Sequence, residues 1–99
     1  MFVSAVPGAL ASAGGTLSAV GASVDAAHLA AAPAIGGVIS PAPTDPVSDL
    51  TAVAFQVHAA MHAGVMAMGS MWHQLYAATA VVSDGSYGLT EAAGALTML

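Results

Sequence analysis

The chain has 99 residues, no Lys or Arg, five acids and a formal charge of −5, which bounds it to one small domain at most. Without cations it has nothing to set against nucleic-acid phosphates or anionic lipid headgroups. It also lacks the positively charged start of a general-secretory signal peptide, so residues 1–15 read as mature protein.

Hydrophobic residues make up 58% of the chain but aromatics only 5%. About a quarter is Ala, so the apolar excess is methyl groups rather than large core-filling side chains. Burying a methyl gains roughly 0.8 kcal/mol, whereas fixing one residue's backbone costs about 1–2 kcal/mol. With no Cys there is no disulfide to compensate. Chains of this size commonly need a staple or a partner, and a partner protein is the expectation. A transmembrane helix needs around 20 uninterrupted apolar residues. The best stretches are broken by Asp25, His28, Pro33, His58, His62 and His73, so no spanning helix is expected.

Taken in order, Pro7 suits the first turn of a helix. Leu10, Leu17, Val24, Ala31 and Val38 then recur every seven residues, with Ala13, Val20 and Ala27 between them, an apolar seam of helical period. Gly14, Gly15 and Gly21 each weaken a helix by about 1 kcal/mol relative to Ala, and point to close helix–helix approach. The first helix is predicted over about 7–36, ending at Gly36-Gly37. Ser40, Pro41, Pro43, Thr44 and Asp45 mark a loop over about 37–45.

Asp45-Pro46 reads as an N-cap acid followed by proline at the first helical position. The second helix is predicted over about 46–83. Leu50, Ala54, Val57, Met61, Gly64, Met68, Met71, Leu75, Ala78 and Val82 alternate spacings of three and four, more than four heptads of seam. Val47, Phe55, Val65, Trp72 and Tyr76 form a second row beside it. One helix cannot cover both rows, the strongest argument from the residues for a second protein. Ser83-Asp84-Gly85-Ser86 is a breaker cluster, leaving a tail over about 84–99.

Candidate chemistry is sparse. His58 and His62 have the i, i+4 spacing of a two-imidazole metal pair, with His73 nearly on the same stripe, but no Cys or helical Glu completes a ligand set. They read instead as the solvent-facing polar stripe of the second helix. No nucleophile-elbow motif and no phosphate-binding loop occur, and no cofactor or enzymatic activity is expected. Met61, Met66, Met68 and Met71 with Trp72 fit a core or an adaptable partner surface. Tyr87 and Glu91, in Tyr87-Gly-Leu-Thr-Glu91, lie one helical turn apart on one face.

Over essentially its full length the chain resembles the mycobacterial PE family. The matching stretches are Phe2-Val3, Pro7-Gly8-Ala9-Leu10, Ala26-Ala27-His28-Leu29-Ala30-Ala31-Ala32-Pro33, Asp45-Pro46-Val47-Ser48, Trp72-His73 and Tyr87-Gly-Leu-Thr-Glu91. The resemblance implies an all-α fold of two long antiparallel helices that completes a four-helix bundle with a PPE protein. It implies export of the heterodimer by a type VII secretion system, with Tyr87 and Glu91 as the secretion motif. An EspG-type chaperone would bind through the PPE chain, and the pair would be secreted or surface-bound after cytosolic assembly.

The Pro-Glu pair that names the family is Pro7-Gly8 here. The expected partner interface takes in both apolar rows: Leu10, Leu17, Val20 and Val24 on the first helix, and Leu50, Phe55, Val57, Met61, Val65, Met68, Trp72 and Leu75 on the second. The chain purified alone is expected to aggregate or fold poorly. The alternative reading is a membrane-active peptide of bacteriocin type, cut after Gly14-Gly15, against which the lack of cations argues.

Overall fold

In the computed structural model, which describes residues 5–42 and 44–98, the chain is all-helical with no strand among the described residues. Helix α1 spans Ala9–Gly36 and helix α2 spans Pro46–Thr97.

The chain enters α1 through a tight turn. Gly8 has φ +82°, and the Ala9 N–H bonds the Val6 carbonyl at 3.1 Å. Pro in the second position and a left-handed Gly in the third are the signature of a type II turn. Pro7 therefore belongs to the turn, and α1 begins two residues after it. The left-handed backbone at position 8 favours glycine over any L side chain, which suits Gly8 in place of a glutamate. Pro33 lies inside α1. The Gly37 N–H reaches back to the Pro33 carbonyl at 3.0 Å and closes the last turn.

At the start of α2 the Asp45 carboxylate accepts the Ser48 N–H at 3.1 Å and the Ser48 hydroxyl at 2.7 Å. Pro46, without an N–H, occupies the first helical position. The helix does not stop at Ser83-Asp84-Gly85-Ser86 but runs on to Thr97. The polar groups that read as a breaker are absorbed locally. Ser86 Oγ donates to the Val82 carbonyl at 3.2 Å and Thr90 Oγ1 to the Ser86 carbonyl at 3.0 Å, the back-bonding that helices tolerate. Asp84 turns toward the start of α1.

The chain forms two compact units. The first joins the residues up to Gly21 to those from Trp72 onward. In it α1 and α2 run antiparallel, with Gly14 against Ala77 and Val81, and Gly21 against His73 and Gln74. Ser18 Oγ donates to Gln74 Oε1 at 2.9 Å, and the His73 ring nitrogen bonds the Leu17 carbonyl. The second unit is Ala22–Met71. There Ser70 Oγ donates to Asp25 at 2.8 Å, and Gln56 Nε2 to the Val38 carbonyl at 2.6 Å. The His28 and His62 rings pack with centroids 5.4 Å apart.

In both units the contact between the helices is small and polar. Among the described residues only Gly14, Gly21, Ala52 and Ala77 are buried. The α1 row that faces α2 is Ala11, Gly14, Ser18, Gly21, Asp25, His28 and Ala32, with Leu17 half-buried beside it. Close backbone approach favours hydrogen and methyl groups over isobutyl ones, and Ser, Gln, Asp and His then satisfy one another across the gap. The predicted solvent-facing stripe of histidines is corrected at one position. His73 is half-buried between the helices, whereas His58 and His62 are exposed as expected, His62 with its ring against His28.

Candidate functional site

With α2 continuous to Thr97, Tyr87 and Glu91 stand one turn apart on a helix rather than in a tail. Asp84, one turn earlier, shares their face. Its two carboxylate oxygens accept the N–H groups of Gly8, at 3.2 Å, and Leu10, at 3.1 Å. These are among the orphan donors at the start of α1. α1 has no acidic side chain in its own first turn, so a carboxylate from the other helix supplies the cap and complements the positive end of the helix dipole.

This anchor brings the N-terminal segment alongside the Tyr87–Glu91 face. Val6, Pro7 and Leu10 on one side and Asp84, Tyr87 and Glu91 on the other line a cavity of about 320 Å³. Tyr87 is half exposed and Glu91 exposed. In sequence Asp84 belongs to the breaker cluster Ser83-Asp84-Gly85-Ser86. Its role as a cap was not visible in sequence, because the donors it serves are 74 and 76 residues away.

Apart from Leu17, the expected partner-interface residues have exposed side chains. Leu10, Val20 and Val24 are exposed on α1, and Leu17 is half-buried. On α2, Leu50 is 70% exposed, Phe55 58%, Met61 67% and Trp72 67%, and Val57, Val65, Met68 and Leu75 are likewise exposed. Val47, Leu50, Ala54, Phe55 and His58 line an apolar groove. By length and composition alone α2 is apolar enough to cross a membrane, although His58, His62 and His73 lie within it. No group of three or more metal-ligating side chains occurs among the described residues.

The model of the PE family matches residues 3–94. The chain belongs to the PE family. It is 45% identical over 94 residues to the PE family protein PE13 of Mycobacterium tuberculosis strain ATCC 25618 / H37Rv, covering 95% of this chain and 94% of that protein. The PE family immunomodulator PE15 of the same strain is 45% identical over 69 residues, 70% of this chain and 67% of PE15. The PE family protein PE8 is 37% identical over 90 residues, 91% of this chain but only 32% of PE8. No solved structure matches the chain significantly. For a PE protein the names of these relatives describe family members or immunomodulators rather than enzymes.

Proposed function

We propose that this chain is the PE half of a PE/PPE heterodimer that a type VII secretion system exports, with Tyr87 and Glu91 as part of the export signal. The observation that carries the pairing is the exposure of both apolar rows of α2, together with Leu10, Val20 and Val24 of α1, while small and polar residues join the helices to each other. Isolated apolar side chains on a surface need no explanation, but contiguous rows of them mark an interaction site. A PPE partner adding two helices over these rows would give a four-helix bundle, with Leu17 at the edge of its core. The chaperone of EspG type would act on the PPE chain, and the assembled pair would leave the cytosol for the surface or the medium.

Co-expression with the adjacent open reading frame followed by co-purification tests the pairing. The expected result is a one-to-one complex. A sharp monomeric peak with cooperative unfolding of the chain alone would overturn it. Tyr87→Ala is expected to abolish export while the heterodimer still forms, and secretion at the wild-type level would show that the signal lies elsewhere.

A further inference from the structure

We propose that the cavity between the start of α1 and the Asp84–Glu91 face of α2 receives an arginine side chain from a partner protein. The wall from Val6, Pro7 and Leu10 is apolar, and Tyr87 adds an aromatic ring. Glu91 is an exposed carboxylate on the same cavity. An aliphatic stem lies well on such a wall, an aromatic ring attracts a guanidinium, and a carboxylate binds its fork with two parallel hydrogen bonds. Lysine offers a compact point charge and neither stacking nor the fork.

The two acids have different tasks. Both Asp84 oxygens are engaged by backbone N–H groups at the start of α1, so Asp84 offsets the positive end of the helix dipole and holds the apolar wall in place. Glu91 then supplies the charge that faces the cavity. Residues 1–99 contain no Lys and no Arg, so none of them can supply a basic side chain to Glu91. About 320 Å³ lies at the small end of ligand pockets, about 300–1,000 Å³, and is room enough for an arginine side chain. The identity of the donor as part of the export machinery rests on the export reading above. The chemistry of the occupant does not.

The test is NMR titration of the full-length, ¹⁵N-labelled chain in its co-purified complex, with N-acetyl-arginine amide as the probe and N-acetyl-citrulline amide as its uncharged isostere. The arginine probe is expected to give saturable shifts at the amides of Val6, Leu10, Tyr87 and Glu91, and the citrulline probe none. Glu91→Gln, an exposed and shape-conserving change, is expected to weaken binding at least about tenfold. Equal shifts with citrulline overturn the proposal. So do shifts spread over Asp25, Asp45 and Asp49, or an unchanged affinity in Glu91→Gln. Export separates the two readings. If Tyr87→Ala blocks export but the probe does not bind, the arginine pocket falls and the export signal stands. If the probe binds as expected while Tyr87→Ala is still exported, the pocket stands and the export signal falls.

Discussion

Gly14 lies so close to Ala77 that a Cβ on the glycine would stand 2.7 Å from the Ala77 carbonyl oxygen. The obstruction is backbone, which cannot rotate away, and Val81 Cγ2 closes the other side at 2.8 Å. At Gly21 the corresponding neighbours are side-chain atoms of Gln74 and His73, both at 2.7 Å, and at Gly15 nothing lies within 4 Å. The three glycines therefore separate in a stability measurement on the partner-bound chain. Gly14→Ala is expected to destabilise by about 1–3 kcal/mol, the range for overpacking a tight contact, and Gly21→Ala by less because Gln74 can give way. Gly15→Ala is expected to stabilise by up to about 1 kcal/mol through helix propensity alone. Thermal unfolding followed by circular dichroism ranks them, and a destabilising Gly15→Ala would contradict the packing described here.

Asp84 makes a second local prediction. It caps α1 from α2 through the N–H groups of Gly8 and Leu10. Asp84→Ala leaves both donors without that acceptor and is expected to cost about 0.5–2 kcal/mol, as loss of an N-cap does. Hydrogen exchange gives the specific reading. The Leu10 amide is expected to lose protection in Asp84→Ala and to keep part of it in Asp84→Asn, while amides near the Asp45 cap are unaffected. Uniform loss along α1 would mean that Asp84 acts by packing rather than as a cap.

Much of this fold is written locally and was readable. Asp45-Pro46 carries its own cap chemistry, Gly36-Gly37 its own stop, and the three glycines announced close helix contact, two of them correctly. The tertiary pattern was harder to read, for a physical reason. Hydrophobic periodicity finds the faces that must be covered, but does not say by what. Here the Leu50–Leu75 and Phe55–Trp72 rows stay exposed, while Ser18, Gln74, Asp25, Ser70 and His73 join the helices. The end of α2 was misplaced for a related reason. Ser86 and Thr90 satisfy their hydroxyls on the helix itself and Asp84 on the opposite one, none of which a cluster of turn-forming residues discloses. The Tyr87–Glu91 spacing was legible, whereas the wall that Val6 and Leu10 build beside it depends on the Asp84 anchor.

Asp45 gives a pH dependence whose sign can be stated. Its carboxyl is held below its ordinary value of 3.8, chiefly by the hydrogen bond from the Ser48 hydroxyl, then by the Ser48 N–H, with slight desolvation opposing and the Val47 N–H assisting. A depressed folded-state pKa means that the unfolded chain binds the proton more readily. The stabilisation from the cap is fully present above about pH 4 and is lost as the pH falls below 3.8 through the folded-state value. Asp45→Asn retains a capping oxygen but cannot titrate. Its unfolding temperature is expected to fall less steeply than that of the parent chain between about pH 4 and about pH 2, with the two close together at about pH 7. A parallel fall in both chains would show that the Ser48 contacts do not favour the ionised form.

The last prediction separates the faces of α2. Met61 and Trp72 are each 67% exposed, whereas Ala77 is 3% exposed. An aspartate at position 61 or 72 of the free chain projects into water, so its cost to the hairpin is that of a surface change, within about ±0.5 kcal/mol. The same charge also breaks a contiguous apolar row and is expected to reduce self-association of the free chain, seen as lower light scattering. In the proposed complex the position is covered, and an unpaired carboxylate buried there is strongly unfavourable. Met61→Asp and Trp72→Asp are therefore expected to improve solubility and abolish co-purification with the partner together. Ala77→Asp places the charge between α1 and α2 and is expected to lose helicity without any gain in solubility. If Met61→Asp and Trp72→Asp both still co-purify at the parental yield, the exposed rows of α2 are not the pairing surface.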